Sequence, residues 1–352
     1  MDRTEDIVIA GIGCASPEFC IDQETALEAM NKHYEPELTE RSRELLHRFF
    51  EHPGVVHRRL AIESPEQLFT ETPDERMERF TRRSVALSAR AAEEALEAAG
   101  VSAARVGGIV VNTCTGYICP GISSYLVECL DLSPDVHAYD LVGAGCGGAI
   151  PNLELGQLLG MAEDDLVIAV SVEICSATYQ MGEDPALLVS NALFGDGAAA
   201  AVLGSLEDGL RIVDSQSRHV PRYRDDIRYV YRNGQLHNSL SVTLPVKSSR
   251  VVGRLVEDFM TGHGLKPDEV HHWAVHPGGE KVIQRLQEAI GLGDQQVAPT
   301  RSILRNYGNL SSVSVWFVLR EILREGMEPG ERCVMLAFGA GLSAHLMLLE
   351  KV

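Results

Sequence analysis

Residues 141–160, LVGAGCGGAIPNLELGQLLG, decide how this chain is read. Gly143, Gly145, Gly147 and Gly148 surround Cys146, and Ile150, Leu153, Leu155 and Leu158 follow at helical spacing. A cysteine placed where a glycine-rich turn runs into a helix faces the unpaired N–H groups of the first helical turn, whose partial positive charge favours thiolate over thiol. The spacing therefore predicts a nucleophile at neutral pH. The alternative reading is a small buried cysteine packed against glycines.

Outward from this stretch, short apolar runs alternate with helical patterns. Residues 136–141 and 165–172 read as strands on either side, 106–114 as a third, and 123–130 as a helix between strands. Residues 6–13 read as a first buried strand. Helices are expected over 23–31 and 38–51, the second carrying Arg41, Arg43, Arg48 and His52 on a charged face of the kind that is usually just solvated. Thr72-Pro73-Asp74-Glu75 supplies an N-cap, an N1 proline and an acidic first turn, and Gly100 supplies the stop. Residues 198–203 form another apolar strand, and 215–249 read as a polar hairpin or loop excursion. Near-continuous apolar strands alternating with helices mean a sheet covered on both faces.

The chain also repeats itself weakly. Gly100-Val101 through Val106 to Asn112 matches Gly264-Leu265 through Val270 to His276 at an offset of 164, and Phe194-Gly195-Asp196-Gly197 matches Phe338-Gly339-Ala340-Gly341 at an offset of 144. Such a pattern predicts a duplicated α/β unit, with equivalent loops of both halves meeting at one crevice.

Composition narrows the function. The chain has 352 residues, 45% of them hydrophobic, enough for one large domain or two fused halves around a substantial core. No run of about 18 apolar residues lacks charges, and MDRTEDIVIA is too acidic to be a leader, so a cytoplasmic protein outside any membrane is expected. Its eight cysteines show no C-x-x-C pairing and are expected to be free thiols. A formal net charge of -19 argues against nucleic acid as a partner, while leaving room for a small anion in a local basic pocket.

Two later stretches join Cys146. His276 ends the short apolar strand of His271-His272-Trp273-Ala274-Val275-His276 just before a glycine turn, where α/β folds place working groups. Its alternatives are a histidine satisfied by a backbone partner, and a metal site of His271, His272 and His276, with no carboxylate or cysteine cluster nearby in sequence to complete it. Asn309 lies in Asn306-Tyr307-Gly308-Asn309-Leu310-Ser311-Ser312 before a helical run at 313–324, and its alternative role is that helix's cap. A nucleophile and two hydrogen-bond donors on loops at one end of a duplicated sheet are a set for acyl transfer to sulfur.

The motifs G-C-G-G (145–148), L-F-G-D-G-A-A-A (193–200), W-A-V-H-P-G-G (273–279), Y-G-N-L-S-S (307–312) and F-G-A-G-L (338–342), in this order, resemble the chalcone synthase family of type III polyketide synthases, within the thiolase-like superfamily. The resemblance runs from about residue 7 to the C-terminus. It implies a thiolase-like, five-layered αβαβα fold of two duplicated halves, 1–205 with Cys146 and 206–352 with His276 and Asn309. It also implies a homodimer that performs decarboxylative Claisen condensation of an acyl-CoA starter with malonyl-CoA, iteratively and followed by cyclisation, with no metal and no cofactor beyond the coenzyme A thioesters. By the same resemblance Cys146 takes the acyl group, and His276 and Asn309 hold the malonyl thioester oxygen. Phe194 matches a gatekeeping aromatic, Cys175 and Thr178 match pocket-lining positions, and Cys119 matches a residue given across the dimer interface. A second family aromatic falls near Thr243. Plant members carry three basic coenzyme A-binding residues at positions that here read Leu45, Arg48 and His52, so Arg48 alone matches and an acyl carrier protein stays open as donor. Two rivals remain: a single-round condensing enzyme of the ketoacyl synthase III kind, and a non-catalytic acyl-binding or scaffold protein keeping the fold.

Overall fold

Apolar runs too short for helices become the inner strands of one nine-stranded sheet, most of them buried on both faces, in the computed structural model, which describes residues 7–52, 54–163 and 165–352. The acidic start, residues 1–6, on which the reading against a leader rests, lies outside the described residues. Among the described residues no helix is long and apolar enough to cross a membrane.

The chain begins with β1 (Val8–Ala15), β2 (Cys20–Asp22), α1 (Gln23–His33), α2 (Glu40–Phe50), β3 (His57–Arg59) and the short α3 (Gln67–Thr70). The long α4 (Pro73–Ala99) starts and stops where its sequence says. Thr72 accepts from the Glu75 N–H, the Glu75 carboxylate accepts from the Thr72 N–H at 2.7 Å, and Gly100 ends the helix at φ +64°. Then come β4 (Val106–Thr113), α5 (Ile122–Cys129), β5 (His137–Val142), α6 (Ala149–Glu163), β6 (Leu166–Ile174), α7 (Pro185–Leu193) and β7 (Asp196–Gly204). The rest comprises β8 (Leu210–His219), β9 (Ile227–Arg232), β10 (Gln235–Leu240), α8 (Leu244–His263), β11 (His272–Val275), α9 (Glu280–Ile290), α10 (Ala298–Tyr307), α11 (Ser314–Glu325), β12 (Arg332–Gly339) and β13 (Ser343–Lys351).

The strand order is β11-β12-β13-β8-β1-β7-β6-β4-β5. Among the described residues two pairs, Val8 with Arg211 and Ile9 with Leu210, join β1 to β8. Outward from that seam one side runs β1-β7-β6-β4 and the other β8-β13-β12-β11, the same order of antiparallel and parallel neighbours. Three apolar clusters build the layers. Phe80 and Leu87 of α4 and Leu126 of α5 pack on Ile109 and Val170. Leu153 of α6 and Trp316 of α11 lie between the two halves of the sheet, against Ala201 on one side and Met335 on the other. Leu255 of α8 and Leu286 of α9 cover Trp273 and Leu336. The result is the thiolase-like αβαβα stack.

The polar excursion expected over 215–249 is smaller than its composition implies. Residues 215–219 continue β8 into the central sheet opposite β13, the hairpin is confined to β9 and β10, and α8 begins at Leu244. Polar residues are admitted there because they are paired inside: Ser217 Oγ lies 2.7 Å from His345 Nδ1.

Candidate active site

Strand β5 runs out into Gly143 and Gly145, both at positive φ (+92° and +58°), a conformation that a side chain strains. A single tight turn, Gly145–Gly147, then carries Cys146 into α6. This turn is pressed backbone to backbone against the turn after β12. A Cβ on Gly339 would stand 2.2 Å from the Ala144 carbonyl oxygen and 2.5 Å from the Gly147 nitrogen. Glycines are thus needed in both G-C-G-G and F-G-A-G-L because each turn occupies the space of the other's side chains.

Cys146 is buried, and its sulfur accepts a hydrogen bond from Ser311 Oγ at 3.5 Å. Burial pushes the thiol up to about 12; the Ser311 hydroxyl and the residue's own N–H oppose this, and the Glu173 carboxylate reinforces it. The thiolate expected from the helix terminus is therefore not the resting form: removal of the sulfur from water outweighs the backbone's partial charge. Alkylation of Cys146 by iodoacetamide in the free enzyme, followed by peptide mapping, is expected to quicken about tenfold per pH unit between pH 7 and 9, since the thiolate fraction grows tenfold per unit below the pKa. A rate that levels off below pH 8 would contradict a protonated resting thiol.

Asn309 is fixed by its backbone and by its own side chain. It pairs with Phe194 in the link between α7 and β7, accepting from the Gly195 N–H and donating its N–H to the Leu193 carbonyl at 2.9 Å. Its Oδ1 accepts from the Ser311 N–H at 2.8 Å, so the side-chain NH₂ is left as the donor end. It is not the cap of α11, which begins after Val313.

His276 continues from β11, its N–H bonded to the Leu336 carbonyl at 2.8 Å. Its ring stands edge-on to Phe338, centroids 5.4 Å apart, and its buried Nδ1 has no hydrogen-bond partner among the described residues. Burial drives the imidazole down to about 3, so it is neutral. The hydrogen-bond partner of the Cys146 sulfur is Ser311. The neighbouring histidines are engaged elsewhere: His272 Nε2 lies 2.9 Å from Glu331 Oε2, and His271 Nδ1 accepts from the Arg332 N–H. Among the described residues no group of three or more His, Cys, Asp or Glu is placed to hold a metal. All eight cysteines are free thiols.

Cys146, Cys175 and Phe194 share one apolar cluster with Leu60, Ile62 and Tyr179. Thr178 is buried beside them, donating to the Cys175 carbonyl at 2.8 Å with its hydroxyl 3.2 Å from the Tyr229 hydroxyl. Thr243 is not part of this group. It is exposed at the start of α8, bonded to Ser241 and Asp226. The β9–β10 hairpin ends three residues earlier than that position, and Leu240 of β10 packs on the cluster instead. Arg48 on α2 and Cys119 ahead of α5 are exposed.

Sequence reasoning missed the polar support beneath the sulfur. Glu173, fully buried on β6, accepts from Ser311 Oγ (3.3 Å), Ser312 Oγ (2.6 Å), Thr115 Oγ1 (2.9 Å) and the Cys114 N–H (3.0 Å). Burial raises its carboxyl above the ordinary range while these donors hold it down. The signal was present: a glutamate inside the apolar strand LVIAVSVEI must find partners or be excluded. A cavity of about 520 Å³ lies beyond the turn, lined among others by Cys114, Gly143, Gly145, Tyr229 and Ala340.

Residues 2–223 match the family described as FAE1/type III polyketide synthase-like protein, and residues 211–352 match the C-terminal domain of chalcone and stilbene synthases. The chain is 28% identical to the alpha-pyrone synthesis polyketide synthase-like Pks18 of Mycobacterium tuberculosis, over 97% of this chain and 91% of that protein. It is 32% identical to the 1,3,6,8-tetrahydroxynaphthalene synthase of Streptomyces peucetius over 76% of this chain and 73% of that enzyme. Among solved structures it superposes on PKS-I of the brown alga Ectocarpus siliculosus with a TM-score of 0.90 at 25% identity, covering 99% of this chain and 98% of that one.

Proposed function

We propose, from the premise that this chain belongs to the type III polyketide synthase family, that Cys146, His276 and Asn309 carry its condensation reaction. A type III polyketide synthase is an acyltransferase that joins coenzyme A thioesters by decarboxylative Claisen condensation, and it needs no cofactor beyond them. Our reading gives each residue one role. Cys146 attacks the acyl-CoA carbonyl and its proton leaves with the departing CoA thiol, so the exchange adds no net charge to a buried chamber. The Asn309 NH₂ and the neutral His276 N–H then hold the thioester oxygen of malonyl-CoA. Loss of carbon dioxide puts negative charge on that oxygen, and the enolate carbon attacks the Cys146 thioester, giving a coenzyme A thioester longer by two carbons and releasing the sulfur as a thiolate that takes a proton from solvent before the next round.

The observation that supports this reading is one residue wide. Ser311 bonds the Cys146 sulfur through its hydroxyl and the Asn309 carboxamide oxygen through its N–H, which ties the donor end of Asn309 to the turn beside the sulfur. In the same reading Phe194, Cys175 and Thr178 shape the chamber and exposed Arg48 meets the coenzyme A phosphates. An acyl carrier protein is kept as a second starter donor. We assign two halves, 1–205 and 206–352, whose mirrored strand order favours duplication. A homodimer in the cytoplasm is part of this proposal: β5 is an exposed edge strand that carries exposed Tyr139 and Val142, and α5, which follows exposed Cys119, is bonded to it through Ser123 and Asp140.

Mass spectrometry of the product from an acyl-CoA and malonyl-CoA tests the reading. A product carrying two or more added two-carbon units is expected. A product with a single added unit favours the one-round condensing enzyme, and an enzyme that forms no acyl adduct on Cys146 is the non-catalytic protein.

A further inference from the structure

Arg58 is among the largest fully buried side chains of the protein, 2% exposed, and among the described residues it forms no ion pair. A guanidinium taken out of water needs its donors met. Here neutral oxygens meet those of Nη1 and Nε. Nη1 donates to the Asn191 carbonyl (2.6 Å), the Phe194 carbonyl (3.1 Å) and the Tyr179 hydroxyl (2.8 Å), and Nε donates to Gln23 Oε1 (2.9 Å). The guanidinium carbon sits 5.5 Å above the Phe50 ring.

Two of these acceptors, the Asn191 and Phe194 carbonyls, belong to the C-terminus of α7, and Gln23 and Tyr179, which supply the other two, bond to that terminus as well. The last carbonyls of a helix lack intrahelical donors and carry the negative end of its dipole. Along α7 each is taken in turn. Ser190 O accepts from the Phe194 N–H, Asn191 O from Arg58, Ala192 O from Gln23 Nε2 at 2.8 Å, Leu193 O from the Asn309 N–H, and Phe194 O from both Arg58 and the Tyr179 hydroxyl. The stem of Arg58 also bounds the turn before Asn309, where a Cβ on Gly308 would lie 3.0 Å from Arg58 Cγ. A residue distant in sequence from both therefore sits under the segment carrying Phe194 and against the turn carrying Asn309.

We propose that Arg58 is a positioning residue for the condensation: its buried cation caps α7 and thereby sets the Phe194 ring and, through the Leu193–Asn309 pair, the amide that holds the malonyl oxygen. This rests on the assignment of Phe194 and Asn309 to the active site. Arg58 touches no reacting atom, so its loss spares the nucleophile and disturbs the steps that depend on Asn309.

The test compares three readouts in Arg58→Lys, which keeps the charge but not the fork of donors: acylation of Cys146 by intact mass, release of labelled carbon dioxide from malonyl-CoA, and product formation. Acylation is expected within about threefold of the parent, with carbon dioxide release and kcat for product lowered about tenfold or more, because a small misplacement of a donor costs far more in rate than in stability. Equal loss in all three readouts, or a lowered melting temperature with unchanged kcat per folded molecule, overturns the proposal in favour of a purely structural arginine. Should Arg58→Lys fail to fold, Tyr179→Phe removes a hydroxyl that Arg58 and the Phe194 carbonyl share without burying a new charge; it should show the same split at smaller size, and no split there also overturns the idea. In Asn309→Ala the Arg58→Lys substitution should cost little further carbon dioxide release, whereas fully multiplicative effects deny that one acts through the other. If Asn309→Ala and Phe194→Ala alone leave condensation unchanged, it is the active-site assignment that fails; if they impair it and Arg58→Lys does not, the failure is confined to Arg58.

Discussion

Cys146→Ala is expected to lower incorporation of labelled malonyl-CoA into product by about a thousandfold or more, the usual cost of deleting a covalent nucleophile. Intact protein weighed after exposure to acyl-CoA should lose its adduct at the same time. The substitution removes one small buried atom whose hydrogen bond comes from Ser311, and Ser311 Oγ keeps Glu173 as a partner, so the fold should survive it. Decarboxylation should also survive in part, because it depends on the donors around the malonyl oxygen and not on the sulfur. The expected phenotype is therefore carbon dioxide release without product. A second thiol sharpens the experiment: Cys114 Sγ lies 3.4 Å from Ser311 Oγ and 3.4 Å from Glu173 Oε2. Burial and the Glu173 carboxylate push that thiol well above its ordinary value, as they do the Cys146 thiol, so peptide mapping of the adduct is what tells the two apart. An adduct that persists in Cys146→Ala, or product at the parent rate, would move the acyl group off Cys146.

What could be read from the sequence was what neighbours in the chain decide. The start and stop of α4 were legible because Thr72, Pro73, Glu75 and Gly100 act within one turn of themselves. The glycines around Cys146 and after Phe338 were legible because tight turns admit little else, and the family resemblance carried by those motifs then supplied the layers and the candidate triad. The protonation of the site was not legible. The partial charge of α6 on Cys146 is local, but the burial that overrides it comes from layers assembled out of the whole chain, and the same holds for His276. Glu173 and Ser311 are joined across 138 positions, with no periodicity to announce it. Where the β9–β10 hairpin ends is another feature that alignment by motif cannot see: β10 stops at Leu240, and Thr243 stands exposed where α8 begins.

His276→Ala is expected to lower carbon dioxide release from malonyl-CoA about 100- to 1000-fold, the range found when one donor to a developing oxyanion is removed from a dry site, while acylation of Cys146 continues at a measurable rate. The argument rests on charge. A protonated imidazole would bind the malonyl carboxylate as firmly as the enolate and so stabilise the ground state along with the transition state, whereas a neutral N–H gains most as charge develops on the oxygen it touches. Burial makes the neutral form available. With the imidazole held down at about 3, His276 stays neutral throughout the range in which an ordinary histidine near 6.5 would change charge. Decarboxylation by the parent enzyme should then show no inflection attributable to this residue between pH 5 and pH 8, and below that range activity should fall only as the imidazole begins to take up a proton. An inflection near pH 6.5 that disappears in His276→Ala would mean that the residue works as a titrating acid and not as a fixed donor. Unchanged carbon dioxide release in His276→Ala would remove it from the reaction altogether. Asn309→Ala should reproduce the loss without touching the pH profile, since a carboxamide does not titrate. Agreement of the two variants in size, with neither altering the pH profile between pH 5 and pH 8, would mark a pair of fixed donors, whereas a change of profile confined to His276→Ala would mark an acid–base catalyst.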